Sequence, residues 1–150
     1  MITPSQLITE ARGWLGVPWH HQGTSKAGCD CVGFIVGLCR SLNLLPDYFE
    51  AIPYGREPDG LTLLAEVERY STPVQVSEAA PGHVLVFRIR HQPRHFALMT
   101  HLDSINAPGM LHAYHNADGE GEVTEHILDD QFWRPRIVAA FAVPGVDYTV

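Results

Sequence analysis

Cysteine is scarce: the 150-residue chain holds three, an odd number that argues against a disulfide framework and makes a reduced setting the default. The close pair Cys29 and Cys31 also lacks the spacing of a zinc knuckle. No apolar stretch approaches the ~20 residues of a membrane span, so membrane insertion is not expected. Met1-Ile2-Thr3-Pro4-Ser5-Gln6 has neither the basic start nor the apolar run of a secretory signal, so synthesis in the cytoplasm is expected, with any export by another route. Positive charge is in short supply: 10 Lys and Arg face 17 Asp and Glu, leaving a net charge of −7 without long charge runs. That balance argues against nucleic acid, or an anionic membrane surface, as a partner held by bulk electrostatics. No repeat divides the chain, and with 45% hydrophobic residues it has enough apolar material for one core, so a single domain over 1–150 is expected.

Histidine, at nine residues, is plentiful, yet no His-x3-His pair sits on an expected helix, and the neighbours His20 and His21 in an extended chain point opposite ways. A zinc protein is therefore the weakest reading. The more informative stretch is Gly28-Cys29-Asp30-Cys31-Val32-Gly33-Phe34, where a glycine-rich loop runs into an apolar helix. From Val32 to Leu45 the apolar residues cover nearly the whole circumference, which predicts a buried helix. Asp30 is placed to cap its first turn. Cys31 then lies where unpaired N–H groups and the helix dipole favour a thiolate, and the polar loop Gly23–Gly28 can leave it at the rim of a cleft. Cys39, inside the apolar helix, reads as packing.

Upstream, Thr3-Pro4-Ser5-Gln6 is a capping box with proline at the first helical position, predicting a helix from Pro4 to about Leu15. Val17–Gly23 is irregular and rich in large rings. After the buried helix, the segment to Gly60 reads as loop, and Leu61, Leu64, Ala65 and Tyr70 mark a short helix that stops before Thr72-Pro73. Strands follow at His83–Ile89, His95–His101, Met110–His115, Glu122–Leu128 and Arg136–Val143, with Arg90–Arg94 as a connection. Helices first and strands after predict an α+β fold, with N-terminal helices packed on an antiparallel sheet of about five strands. Parity puts His95, Ala97 and Met99 on one face, and His112 and Tyr114 on a face opposite to that of His115. Only one of His112 and His115 can therefore meet His95.

A thiol at a helix start, a histidine entering a strand some sixty residues later and a polar residue on the next strand follow the chain order of papain-like cysteine peptidases. Cys29–Phe34 resembles the Asp-Cys-Ser-Gly-Phe/Leu motif of the NlpC/P60 peptidoglycan peptidases, His95-Phe96-Ala97-Leu98 their His-Val-Gly-Ile strand, and Leu111-His112-Ala113 their Ile-His-Ala strand. The forms Gly28–Cys31, Pro18–Gln22, Val123–Asp129 and Arg136–Phe141 look like the phage and gene-transfer-agent branch, in which the protein is a tail-associated cell-wall peptidase. Trp19 stands where the family commonly has tyrosine, Val32 where it commonly has serine, and His83 where it commonly has aspartate.

The resemblance implies a papain-like NlpC/P60 fold in which Cys31 attacks an amide carbonyl, His95 moves its proton and His112 orients His95. The Cys31 N–H, with a second donor from Trp19–Gln22, would bind the oxyanion. Trp19, His21, Asp30 and Arg94 complete the candidate set for substrate or oxyanion binding, Arg94 as a partner for a stem carboxylate. The substrate implied is the peptidoglycan stem peptide, cleaved between D-glutamate and diaminopimelate or beside it, with neither metal nor organic cofactor. Phage tail proteins are the implied assembly partners, and a virion-associated enzyme acting in the periplasm or cell wall the implied destination. The alternatives are a papain-like amidase or acyltransferase on a lipid or small amide, and a catalytically idle tail component.

Overall fold

The structure, a computed structural model, describes residues 1–45, 65, 67–89 and 92–150. Helix α1 spans Pro4–Arg12 and starts on the expected capping box: the Thr3 hydroxyl accepts the Gln6 N–H and the Gln6 side chain accepts the Thr3 N–H. It ends earlier than the periodicity predicts, because residues 13–16 form turns that carry the chain to the sheet edge. A two-residue hairpin follows, β1 (Thr24–Ser25) and β2 (Gly28–Cys29), and then helix α2 (Cys31–Ser41). Gly33 and Gly37, one turn apart on α2, let β1 and the residue before it touch the helix backbone. A Cβ on Gly33 would lie 1.7 Å from the Gly23 carbonyl oxygen, and one on Gly37 2.3 Å from that of Thr24.

The expected loop from Pro46 to Gly60, and Leu61 and Leu64 of the expected short helix, lie outside the described residues; Ala65 and residues 67–70 are helical, and Tyr70 is exposed. Beyond them come β3 (Thr72–Val74), β4 (Val84–Ile89), β5 (Gln92–Leu102), β6 (Ala107–His115), β7 (Gly121–Ile127) and β8 (Ile137–Ala142). They form one six-stranded antiparallel sheet in the order β3-β8-β4-β5-β6-β7. The fold is thus α+β, as expected, with one strand more than the five read from the sequence: β3 is short and carries Pro73, which suits an edge strand. Gln92 to Arg94 belong to β5 rather than to a connection; Pro93 pairs with Arg88 just past a register shift, a place where a missing N–H is tolerated.

The sheet is covered on both faces. Leu7, Ile8, Ala11, Trp14, Phe34 and Leu38 from the helices pack on Phe96, Leu98, Leu111, Ala113 and Val123. Arg12 reaches across this face to Glu125 with two contacts of 3.0 Å, and Glu125 also accepts the buried Thr100 hydroxyl at 2.7 Å, so α1 is pinned to β5 and β7. On the opposite face Leu85, Phe87, Ala97, Met99, Met110 and Ala140 are roofed by Leu128 and Trp133 from the segment between β7 and β8. Residues 16–19 lace onto β7 through Gly16–Val123, Val123–Val17 and Trp19–Gly121 backbone bonds, which protects that sheet edge. Among the described residues, no helix is long and apolar enough to cross a membrane.

Candidate active site

Cys31 opens α2. Asp30 caps that helix as expected: one carboxylate oxygen accepts the Gly33 N–H and the other the Gln22 N–H, each at 2.8 Å. Both oxygens of this buried carboxylate therefore face the protein, and the residue ties the ring-rich loop to the helix start. The Cys31 thiol accepts N–H groups from Phe96, Val32 and its own backbone. The first contact is the informative one. Register between β5 and β6 runs only from Leu98–Leu111 to Leu102–Ala107, so at residue 96 the two strands are not paired. Ladder N–H groups lie in the plane of a sheet, so a thiol that accepts the Phe96 N–H sits at the level of the sheet, at this splay. It lies beside the backbone of the residue that follows His95.

The surroundings of the sulfur oppose the expected thiolate. Burial, with the Asp30 charge alongside, pushes the thiol up to about 12 despite the three N–H donors. Enclosure and the Asp30 charge thus act against the helix start at this sulfur. Cys29 and Cys39 are buried in the helix-side core, where burial likewise pushes each to about 12.

His95 and His112 come together on the face roofed by Trp133. His95 Nε2 lies 2.6 Å from His112 Nδ1, so the nitrogen of His95 that meets His112 is Nε2. Burial, reinforced by neighbouring histidines, lowers His95 to about 3 and His112 to about 2, so both rings are neutral at neutral pH. His115 goes elsewhere: its ring packs on Trp19 with centroids 4.2 Å apart, and its Nδ1 donates to the Asn116 carbonyl at 2.7 Å.

Trp19 is held between His115 and His21, whose ring stacks at 6.4 Å. The backbone N–H groups of Trp19, His20 and Gln22 are engaged with Gly121, Cys29 and Asp30, respectively, so they hold the loop and do not point toward an oxyanion. A second donor from this stretch must come from a side chain or from residue 21. Arg94 falls in β5 directly before His95, and its side chain is outside the described residues.

Two residues of this site escaped the sequence reading. His112 Nε2 lies 2.8 Å from His126 Nε2, and His126 Nδ1 lies 2.9 Å from the Ile127 carbonyl oxygen. Trp133 covers all three rings, its centroid 5.5 Å from His95, 5.2 Å from His112 and 6.1 Å from His126. Parity could have found His126, two residues beyond Thr124, which pairs with His112. No pattern marked Trp133, which reaches the site from an irregular turn held by the Asp129 carboxylate. Among the described residues, no group of three or more His, Cys, Asp or Glu could hold a metal ion.

The buried neutral pair has a consequence for stability. On unfolding, His95 and His112 return to the ordinary value near 6.5 and take up protons below it, whereas the folded protein does not. Their stabilising contribution is complete above about pH 6.5 and is lost as pH falls from there toward about 3 and about 2. Each ring adds a slope of at most about 1.4 kcal/mol per pH unit. Urea midpoints should therefore drop between about pH 7.5 and about pH 5.5, and less so in His112→Asn. Equal midpoints for the wild type would contradict the assignment.

The sequence profile of the NlpC/P60 family matches residues 16–142. Among solved structures, the chain is similar to the NlpC/P60 domain of the peptidoglycan hydrolase SagA, with 18% identity and a TM-score of 0.65 over 95% of this chain and 100% of that one. It is also similar to a lipoprotein-like NLP/P60 protein from Staphylococcus aureus (16% identity, TM-score 0.63, 94% of this chain). A third likeness is to an NlpC/P60 protein from Bacillus cereus (21% identity, TM-score 0.62, 92% of this chain). This chain spans only 41% and 39% of the lengths of those last two. No curated protein sequence matches it. The profile match over residues 16–142 places this chain in the NlpC/P60 family.

Proposed function

We propose that this chain is a cysteine endopeptidase that hydrolyses an amide bond in peptidoglycan stem peptides, between D-glutamate and diaminopimelate or a neighbouring residue. The observation that carries the reading is the 2.6 Å contact between His95 Nε2 and His112 Nδ1, one residue from the backbone N–H that holds a helix-start thiol. Such a base, oriented at one nitrogen and open at the other, is what a thiol nucleophile requires. The likeness to the SagA domain, a peptidoglycan hydrolase, supports the substrate class.

Cys31 Sγ attacks the carbonyl carbon while its proton passes to His95 Nδ1; burial, which raises the thiol and lowers the imidazole, favours transfer that accompanies attack. The N–H groups that open α2 at Cys31 and Val32, which the resting thiol accepts, are released as the sulfur bonds to carbon and then serve the developing oxyanion. Collapse breaks the C–N bond, the proton moves from His95 to the leaving amine, and a thioester remains on Cys31. Water, giving its proton to His95, then hydrolyses the thioester and restores the thiol. A tail-associated phage or prophage role, with tail proteins as partners and the periplasm or cell wall as the place of action, rests on the motif forms alone. Purified protein offered muropeptides and acyl lipids in parallel should release fragments only from the muropeptides. Turnover of the lipids instead would replace this reading with the amidase or acyltransferase one.

A further inference from the structure

We infer that His126 is a positioning residue which, anchored on the Ile127 carbonyl, fixes the ring tautomers of His112 and His95 and leaves His95 Nδ1 without a proton. The inference rests on the reading of His95 as the base, and it assigns a role to a residue outside the cysteine and the two histidines already discussed.

One line of contacts fixes where each ring proton sits. A carbonyl oxygen can only accept, so His126 Nδ1, 2.9 Å from it, carries the ring proton. In a neutral His126 the Nε2 is then bare. It faces His112 Nε2 at 2.8 Å, so His112 Nε2 carries the proton and His112 Nδ1 is bare. That atom faces His95 Nε2 at 2.6 Å, so His95 Nε2 carries the proton and His95 Nδ1 is the basic nitrogen. Moving any one proton sets two N–H groups or two lone pairs against each other at contact distance. Reversing all of them sets a bare nitrogen against the carbonyl.

The surroundings preserve this order. His112 is fully buried, and Trp133, itself buried, lies over all three rings, so water is kept from breaking the line at its middle. A pair of histidines alone has no such anchor: each of the two could take either tautomer together with its neighbour. The backbone carbonyl at the far end removes that freedom, because it belongs to strand β7 and cannot change its character.

The test compares the wild type with His126→Leu, which fills a similar space but cannot accept, and His126→Gln, whose amide oxygen can take the place of Nε2. Ring nitrogen NMR on protein labelled with 15N at histidine reads the tautomer of His95 directly, and kcat and KM are measured on one stem peptide. The wild type should carry its His95 proton on Nε2. In His126→Leu the His95 ring should become a mixture of tautomers, and kcat should fall on the order of tenfold with little change in KM. His126→Gln should restore both. A wild-type His95 protonated on Nδ1, or a folded His126→Leu with an unchanged tautomer and kcat, overturns the inference. Should His126→Leu fail to fold, the wild-type spectrum and His126→Gln decide. If the tautomers respond as expected but no variant cleaves the peptide, the relay stands and the peptidase reading falls.

Discussion

Replacing Cys31 with alanine is expected to lower kcat/KM on a stem peptide on the order of 10⁵–10⁶-fold, the scale seen when a covalent nucleophile is removed and only binding and oxyanion contacts remain. The fold should survive, because Asp30, not Cys31, satisfies the helix start through its bonds to Gly33 and Gln22. Cys29→Ala is the control. Its side chain is fully buried in the helix-side core, two residues before the helix start, so its loss should cost stability while leaving kcat/KM within a few-fold of the wild type. If Cys29→Ala is inactive while folded and Cys31→Ala retains activity, the nucleophile has been misassigned.

The second large effect is expected at His112. Its ring is fully buried and joins His95 to His126, with contacts of 2.6 Å and 2.8 Å. In His112→Ala the nucleophile and base remain, but the imidazole of His95 is released to adopt unproductive tautomers and rotamers. A fall in kcat of roughly 10²–10⁴-fold follows by analogy with triads that lose their orienting group. The same change leaves the buried Nε2 of His95 without its partner, at about 1–3 kcal/mol, so circular dichroism must accompany the kinetics. His112→Asn keeps an acceptor near the position of Nδ1 and should recover part of the rate. His115→Ala should cost far less, since that ring packs on Trp19 and bonds Asn116. A folded His112→Ala enzyme with near wild-type kcat would remove His112 from the mechanism.

The parts of this site that were legible in the sequence are those governed by local rules. Capping chemistry places both helix starts, and alternation along the strands separates His112 from His115. What remained hidden depends on groups distant in sequence. The sequence showed Cys31 at a helix start, where a thiolate is favoured, but not the enclosure that pushes the thiol the other way. It showed proline and two arginines between β4 and β5, which read as a connection, because only the register shift after Phe87 explains how Pro93 can pair. His126 lies within the Val123–Asp129 form, but nothing there marks it as part of the site, and its place beside His112 follows from the register of β6 and β7. Trp133 was out of reach for the same reason, since its roof over the histidines comes from a turn with no periodicity to read.

The central claim is that this chain cuts the stem peptide through Cys31. Mass spectrometry of a defined L-Ala–D-Glu–diaminopimelate–D-Ala peptide, incubated with the wild type and with Cys31→Ala, tests it most directly. The predicted result is one pair of fragments whose masses sum to the peptide plus one water, produced by the wild type alone. An intact peptide after prolonged incubation with folded, reduced wild-type protein, or the same fragments from Cys31→Ala, would contradict it.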